Sequence, residues 1–236
     1  MHNWPGMRTG IIDVQPGPRM ASSDNFDIIL EGKGGHAAMP HLCNDAVVAS
    51  AQVINALQTM VSRYSNPVDP LVISITRMHA GSEAYNVIPR TVTLGGTMRT
   101  FSPDLRTKAP KRMDDLVRRV AFGFEVNAKV IWQDHGFPPT INNEEQAKKA
   151  LSAAIKTVGS ERVTQNCKAS MGAEDFSHML EKKKGAYVFV GAGEKTAPLH
   201  HPQFDFNDEL LNVGAELFVN MAMESLGEDV TQQQPQ

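Results

Sequence analysis

The chain has 236 residues, of which 41% are hydrophobic and 21% are charged, and its formal net charge is −3. This length and apolar content suit one large domain or two small ones with a buried core. The mildly acidic balance speaks against a nucleic-acid-binding protein. No apolar stretch approaches the length of a membrane span, so the sequence predicts neither nucleic acid nor a membrane as a partner.

The cysteines and the first residues indicate the compartment. Cys43 and Cys167 are far apart and have no CxxC spacing, which fits neither a disulfide framework nor a zinc knuckle. Residues 1–6 lack the basic and apolar regions of a signal peptide, and we expect them to belong to the interior of a domain. These features predict a reducing, cytoplasmic setting.

Strands and helices alternate over residues 24–134. Apolar and β-branched runs predict strands over 26–32, 71–78, 92–99 and 126–132. Helical spacing of apolar residues predicts one helix capped by Asn44 or Asp45, and a second that begins at Asp104 with Pro110 near its start. The order βαββαβ is that of the ferredoxin-like fold, a four-stranded antiparallel sheet with two helices on one face.

Residues 135–226 carry pieces of an α/β domain. One helix is predicted over 144–158, and another follows a cap at Asn207 or Asp208. The apolar run at 187–191, bounded by glycine, is typical of a buried strand in a parallel sheet. These elements are too few to cover both faces of a sheet, so we expect this α/β domain to be incomplete.

Five of the eight histidines lie in polar loops punctuated by glycine and proline, where ligands and catalytic groups concentrate. They are His2, His36, His41, His200 and His201. A loop histidine is most often solvated surface. His200 and His201, however, follow the predicted strand at 187–191, near the strand ends at which open α/β sheets bind ligands. One of this adjacent pair is therefore a candidate metal ligand.

Polar groups suited to a substrate occur in three further places. Gly34-Gly35-His36 requires either a close approach of another backbone or a positive φ. Arg99, at the end of a predicted strand, is either a surface arginine or a clamp for a substrate carboxylate. Asn86 is a turn residue by default.

Two acids, Glu174 and Asp175, stand at the expected start of a helix. In one interpretation they complement the helix dipole, with Ser170 as the cap. In the other, the backbone amides and a carboxylate at this helix start bind a substrate. The residues alone leave both interpretations open.

Six sequence blocks, taken together and in order, resemble the M20 metallopeptidases, most closely the subgroup of aminoacylases, hippurate hydrolases and auxin-conjugate hydrolases. The blocks are His-Asn-Trp-Pro-Gly at 2–6, Gly-Lys-Gly-Gly-His-Ala-Ala-Met-Pro-His at 32–41, Asn-Val-Ile-Pro at 86–89, Gly-Thr-Met-Arg-Thr-Phe at 96–101, Met-Gly-Ala-Glu-Asp-Phe at 171–176 and Leu-His-His-Pro-Gln-Phe-Asp-Phe-Asn at 199–207.

The resemblance implies a domain organisation of the α/β class. Residues 1–23 would be a fragment of a catalytic α/β domain, and 24–134 a ferredoxin-like lid and dimerisation domain. Residues 135–226 would be the C-terminal part of the catalytic domain, and 227–236 a disordered tail. A homodimer formed through the lid is also implied.

The resemblance further implies roles for single residues. His2 and His200 match ligands of a two-metal site that would hold zinc, manganese, cobalt or nickel. His36 matches the catalytic group that stabilises the transition state. The positions that match substrate-binding residues are Asn86, Arg99, Gly172 and Glu174.

The implied reaction is metal-dependent, carboxypeptidase-like hydrolysis of N-acyl or N-aroyl amino acids or peptides. The family's Cys-Gly-His-Asp-Gly-His block and its Glu-Glu pair match positions upstream of Met1, so we expect an incomplete metal site in this chain. The alternative is a catalytically inactive lid and dimerisation module that binds partner chains or acyl-amino acids without turnover.

Overall fold

A computed structural model describes residues 1–227, and its regular elements carry the labels used below. The strands are β1 (His2–Pro5), β2 (Ile12–Asp13), β3 (Gly17–Met20), β4 (Asp24–Glu31), β5 (Gly35–His36), β6 (Leu71–Ala80), β7 (Val87–Ile88), β8 (Thr91–Thr100), β9 (Asn127–Trp132), β10 (Thr140–Asn142), β11 (Val163–Thr164) and β12 (Phe189–Gly193). The helices are α1 (Ala46–Thr59), α2 (Pro103–Phe122), α3 (Glu144–Val158), α4 (Ser177–Lys182) and α5 (Leu210–Leu226). Residues 228–236, most of the expected disordered tail, lie outside the described residues.

The described residues separate into two compact units. Unit 1 comprises Met1–Arg19, Thr140–Ser170 and the chain from Phe176 onward. Unit 2 comprises Met20–Pro139 together with Met171–Asp175. No helix within residues 1–227 is long and apolar enough to cross a membrane.

Unit 2 contains a four-stranded antiparallel sheet with the order β6-β8-β4-β9. Alternate residues of β4 are buried, and they share one core cluster with the inward faces of α1 and α2. Because a strand points successive side chains to opposite faces, this single cluster places both helices on the same face of the sheet. The predicted ferredoxin-like βαββαβ arrangement is confirmed.

Local sequence explains where the unit 2 helices begin. The Asp45 carboxylate accepts hydrogen bonds from the backbone amides of Val47 and Val48, which caps α1 as predicted. Helix α2 begins just before the expected Asp104, because the Ser102 hydroxyl accepts from the Leu105 amide. Pro110 lies inside α2 rather than near its start, so the helix interior there lacks one backbone N–H donor.

Unit 1 contains a four-stranded sheet with the order β1-β12-β2-β11, and a pair formed by β3 and β10. β12 runs parallel to β1 and antiparallel to β2, so the expected parallel pairing holds on one side of β12 only. Helices α3 and α5 pack on each other and share the unit's core cluster with β12. The bounds of α3 are those predicted, and the Asn143 side chain caps it by accepting from the Gln146 amide.

The start of α5 differs from the prediction. Asn207 does not cap the helix: its side-chain oxygen accepts from the Glu209 amide, and its backbone oxygen accepts from the Leu210 amide. These bonds form a separate turn, and the helix begins one turn later, at Leu210. Asp208 is likewise part of this turn, with its carbonyl accepting from the Leu211 amide.

The side chain of Asn142, at the end of β10, forms hydrogen bonds with the backbone of two other segments of unit 1. Its amide nitrogen donates to the backbone oxygens of Gln15 and Tyr187, at 2.9 Å each. Its oxygen accepts from the Tyr187 amide at 2.6 Å. One buried side chain thus joins three segments that are far apart in the sequence.

Candidate functional site

The structure brings His36 and Asn86 together in unit 2. His36 lies on β5, which pairs with β7 so that Gly35 faces Ile88 and His36 faces Val87. The Ala37 amide donates to the Asn86 carbonyl at 2.9 Å. Two residues that are 50 positions apart in the sequence therefore lie at the end of one short antiparallel strand pair.

Close packing explains the glycines before His36. A Cβ atom on Gly34 would lie 2.6 Å from the Ile88 carbonyl oxygen, and one on Gly35 would lie 2.5 Å from the Cys43 sulfur. Neither glycine has a positive φ. Of the two alternatives left open by the sequence, close approach is the one that holds.

The His36 side chain is exposed, and its ring nitrogens are distinguished by one contact. Nδ1 accepts a hydrogen bond from the Ala38 amide at 3.1 Å. Because a nitrogen that accepts cannot also carry the proton, the neutral ring must hold its proton on Nε2. His36 therefore presents an N–H donor at its outer end, as a group that stabilises an oxyanion must.

Arg99 lies on β8 opposite Val72 of β6, and it is half-buried. This burial lowers the pKa of Arg99, while the Asp24 carboxylate acts in the opposite direction. Asp24 is itself held by Arg106, with nitrogen–oxygen distances of 2.9–3.1 Å. Within residues 1–227, Arg99 makes no ion pair or side-chain hydrogen bond, so its guanidinium is available to an anion.

The segment with Gly172 and Glu174 precedes helix α4, which begins at Ser177. Phe176, the residue before α4, makes no side-chain capping hydrogen bond. Ser170, the proposed cap, lies well before the helix and donates its backbone amide to the Arg19 carbonyl. Within unit 2, the Gly172 carbonyl accepts from the Ala21 amide at 2.9 Å, and Glu174 is half-buried. Ser170 is therefore not the residue that precedes α4, and both interpretations of Glu174 and Asp175 stay open.

His2 lies on β1 of unit 1, in an aromatic setting. Its ring meets the Trp4 ring edge-on, and Trp4 stacks on Phe189 with 4.0 Å between centroids. Nδ1 of His2 lies 2.6 Å from the Asn3 carbonyl oxygen. Because a carbonyl can only accept, Nδ1 carries the proton and Nε2 keeps its lone pair, which is the form that binds a metal ion.

The two adjacent histidines of unit 1 differ. His200 has a φ of +65°, a left-handed conformation that is uncommon outside glycine. It is exposed in the loop between β12 and α5. His201 makes hydrogen bonds within its own loop. Its Nδ1 accepts from the Gln203 amide at 3.1 Å, and its backbone amide donates to the Pro198 carbonyl. Backbone strain at His200 is the kind of feature that concentrates at functional sites.

A complete metal site needs several donor side chains close together. Across residues 1–227, no group of three or more His, Cys, Asp or Glu side chains is placed to hold a metal ion. A catalytic zinc ion normally has three protein ligands. The described residues alone therefore do not fit the two-metal centre that the resemblance implies.

Sequence reasoning missed a buried ion pair in unit 1. The Asp13 carboxylate accepts from the Arg19 guanidinium and from the Cys167 amide, and both charged side chains are almost completely buried. Arg19 also donates to the Cys167 carbonyl at 3.1 Å and lies over the Phe189 ring. Single charged residues between prolines and glycines give no periodic pattern, so no signal in one sequence marks this pair.

Comparison with known proteins agrees with the fold. The family model described as Peptidase family M20/M25/M40 matches residues 1–224. N-acetylcysteine deacetylase of Bacillus subtilis is 37% identical over 225 residues, which are 94% of this chain and 57% of that protein. The IAA-amino acid hydrolase ILR1-like 4 of Arabidopsis thaliana is 36% identical over 233 residues, 94% of this chain and 52% of that protein.

A solved structure gives the same result. The Bacillus subtilis YXEP protein, described as a dinuclear metal binding peptidase of the M20 family, superposes with a TM-score of 0.79 at 31% identity. The match covers 97% of this chain and 57% of that one. The chain thus spans little more than half the length of the proteins it matches. On the strength of these matches, the chain belongs to the M20/M25/M40 peptidase family.

Proposed function

We propose that this chain provides the substrate-binding part of an amidohydrolase that cleaves N-acyl or N-aroyl amino acids and related peptides. The observation that carries the proposal is the orientation of His36, whose Nδ1 accepts from the Ala38 amide and whose Nε2–H is left to donate. The activities by which two relatives are named, N-acetylcysteine deacetylase and IAA-amino acid hydrolase, support an acylated amino acid as the substrate.

Three side chains of unit 2 receive roles. His36 donates a hydrogen bond to the oxygen that becomes negative when the amide carbon is attacked. Arg99 binds the substrate carboxylate, because its planar guanidinium can form two parallel hydrogen bonds and has no competing partner among residues 1–227. Asn86, which lies beside His36 at the end of the β5–β7 pair, contributes its side-chain amide to bind the rest of the substrate.

Gly172 and Glu174 are proposed as further substrate contacts. They lie in the segment Met171–Asp175, which belongs to the same unit as His36 and Arg99. The bond from Ala21 to Gly172 fixes the backbone of this segment.

His2 and His200 are proposed to supply one imidazole each to a divalent metal, with zinc, manganese, cobalt or nickel as candidates. The protonated Nδ1 of His2 leaves Nε2 as a ligand. The remaining ligands would have to come from polypeptide outside the described residues, since residues 1–227 hold no cluster of three donors. A readout independent of turnover is zinc binding by calorimetry, which we expect to be weak and to fall further in His200→Ala.

We also propose a homodimer through the lid, in a reducing, cytoplasmic setting. β6 is an edge strand of the unit 2 sheet, and its residues from Thr76 to Ala80 are exposed. An open strand edge invites pairing with a second chain. Cys43 and Cys167 are both unpaired, as a reducing compartment would keep them.

A second candidate function is favoured by the lack of a three-donor cluster in residues 1–227. In that case the chain binds acyl-amino acids or partner chains without turnover. The sheet and helices of unit 2 would serve the same binding role in both cases.

The experiment is a titration of N-acetyl-L-cysteine into the chain, followed by NMR, with a parallel hydrolysis assay. We expect millimolar-range binding that is lost in Arg99→Ala and kept in the control Arg77→Ala, whose exposed side chain pairs with Asp27. Hydrolysis is expected only when the unspanned part of an M20 enzyme is supplied, and a chelator should stop it. Cleavage that persists after removal of the metal and in His200→Ala would contradict the amidohydrolase proposal. An unchanged affinity in Arg99→Ala would contradict the proposed role of Arg99 in binding.

A further inference from the structure

A surface groove beside helix α4 contains none of the residues assigned to the candidate site. It lies wholly within unit 1, along residues 176–185, and is called the α4 groove below. Its apolar surface comes from Phe176, Met179 and Leu180. Met179 is 65% exposed, although a methionine side chain gains free energy when it leaves water. Apolar side chains that line one concave surface are typical of a binding site.

A glycine keeps the α4 groove open. A Cβ atom on Gly185 would lie 2.8 Å from a terminal methyl carbon of Leu180 and 4.0 Å from the Phe176 ring, so any side chain here would enter the groove. The Gly185 carbonyl accepts from the Asn143 amide at 3.0 Å, which fixes this backbone. The Phe176 ring packs on the buried Tyr187, with 5.5 Å between ring centroids. The floor of the groove therefore rests on the core of unit 1 and exists before any ligand binds.

The rim of the α4 groove is basic. Lys182, Lys183 and Lys184 complete its lining; all three are exposed, and none forms an ion pair within residues 1–227. None of the lining residues is acidic. The one carboxylate between residues 176 and 185, that of Glu181, lies 3.9 Å from Nδ1 of His178. Because lysine stems lie along apolar surface while their ammonium groups stay in water, the rim adds positive charge at the edge of an apolar floor.

An apolar floor with a basic rim is complementary to a hydrocarbon chain that ends in an anion. The α4 groove has a volume of about 650 Å³, within the range of pockets that hold small molecules. A membrane surface fits less well, because binding to lipid scales with the buried apolar area and α4 has only six residues. An acidic peptide also fits less well, because its backbone polar groups would lie unpaired against the apolar floor.

We propose that the α4 groove binds a free single-chain carboxylate amphiphile, a medium- or long-chain fatty acid. The chain lies against Phe176, Met179 and Leu180, and the carboxylate accepts hydrogen bonds from the ammonium groups of lysines 182–184. This binding goes beyond the proposed hydrolytic function, since it needs neither a metal ion nor any polypeptide outside this chain. Its failure and the failure of the hydrolytic proposal are therefore separate results.

The test is calorimetric titration of sodium hexanoate, octanoate and decanoate into the chain, each below the concentration at which it forms micelles. Decanoate should bind about tenfold more tightly than octanoate, because two further methylene groups leave water. Decyltrimethylammonium, which has the same chain and a cationic head group, should bind about tenfold more weakly than decanoate or not at all. No binding of decanoate, affinity that does not change with chain length, or equal binding of the cation would each overturn the proposal.

Met179→Asp locates the chain. It places an anion on the floor of the groove and should weaken decanoate binding about tenfold or more. The matched control is Leu211→Asp, on α5 of the same unit, where the side chain is 61% exposed and lines a different apolar groove. Both side chains are largely in solvent, so we expect both variants to keep the wild-type Tm. Equal loss of binding in the two variants would show adsorption to any exposed apolar surface and would overturn the proposal.

A triple variant locates the carboxylate. Lys182→Gln with Lys183→Gln and Lys184→Gln should weaken decanoate binding about fivefold or more, since three ammonium groups are lost. The control replaces three exposed lysines outside the groove, Lys111, Lys129 and Lys195, by Gln, which changes the net charge equally and should leave the affinity unchanged.

NMR shifts caused by decanoate should centre on residues 176–185. Equal affinities in the two triple variants, shifts centred elsewhere, or binding to phosphatidylserine vesicles without binding to decanoate would each overturn the proposal.

Discussion

Unit 2 buries an apolar core between one sheet and two helices, whereas unit 1 buries an ion pair and exposes one whole face of a helix. The core cluster of unit 2 contains large aliphatic and aromatic side chains such as Phe26, Leu57 and Leu94. That of unit 1 contains several alanines from α3, and the buried Arg19 guanidinium of this unit lies over the Phe189 ring. The difference indicates that apolar packing stabilises unit 2, whereas unit 1 combines a core of smaller side chains with a buried polar network and leaves apolar side chains of α5 exposed.

One tryptophan in each unit makes the comparison measurable. Trp4 stacks on Phe189 in unit 1, and Trp132 packs against Phe26 in unit 2. Variants with Trp132→Phe or Trp4→Phe leave one reporter each. Urea unfolding followed by fluorescence then reads the free energy of unfolding of each unit separately.

The largest effect is expected for Arg19→Met in unit 1. Removing the cation leaves the Asp13 carboxylate buried without its charge partner, which should cost roughly 3–5 kcal/mol, read from Trp4. The control is Arg77→Met in unit 2, where the exposed pair with Asp27 contributes about 0–1 kcal/mol. Similar costs for the two variants would show that the buried pair does not support unit 1.

Leu94→Ala is the matching change in unit 2. Leu94 is completely buried between the sheet and its helices, so truncation should cost about 2–5 kcal/mol, read from Trp132. The urea midpoint of the transition that Trp4 reports should not change if the two units unfold independently. A shift of both transitions by the same amount would show that the two units unfold together.

Gly34→Ala tests the close packing of the β5–β7 strand pair, on which His36 lies. The new Cβ would lie 2.6 Å from the Ile88 carbonyl, so β5 and β7 must separate, at a cost of roughly 1–3 kcal/mol. We expect NMR shifts at His36 and Asn86 and weaker binding of N-acetyl-L-cysteine. Gly123→Ala, whose Cβ would lie 3.3 Å from Val120, is the control. Unchanged spectra at His36 in Gly34→Ala would contradict the packing argument.

The smallest effect concerns Cys167 in unit 1. Burial, followed by the nearby Asp13 carboxylate, raises the pKa of the Cys167 thiol. The folded state therefore keeps this proton at a pH where the unfolded chain has lost it. The associated stability is fully present below the ordinary thiol pKa and is lost as the pH rises from there through the raised pKa of the folded state. Iodoacetamide should label native Cys167 more slowly than the urea-unfolded chain at pH 8–9, and Cys167→Ala should flatten the alkaline loss of stability. Equal labelling rates would refute the shift.

The regular elements of both units could be predicted because their signals are local. Helical spacing predicted the bounds of α3 to the residue, and the four long strands of unit 2 were predicted from apolar and β-branched runs. The pairing of β5 with β7 could not be predicted in this way, since strands of two residues are too short to show an alternation of apolar and polar residues. The start of α5 was misplaced because Asn207 bonds like a cap but forms a turn.

The candidate site was less accessible to sequence reasoning. The glycines before His36 indicated either a close backbone approach or a positive φ, and only the structure decides for close approach. Its neighbour Asn86 was assigned a substrate role only through the family resemblance. The Asp13–Arg19 pair depends on contacts between residues far from Cys167 in the sequence, and neither charge stands in a pattern. Long-range polar contacts of this kind leave no local trace in a single chain.

The Asn142 side chain has a consequence for the order of folding. It bonds to Gln15 and Tyr187, so its three hydrogen bonds close only after residues 15, 142 and 187 have all been synthesised. Unit 2 is almost continuous between Met20 and Pro139 and needs no such wait. Because loop closure over a long separation is slow, the ferredoxin-like sheet should form on the ribosome first. Unit 1 should then assemble later, when the side-chain amide of Asn142 can join its three segments.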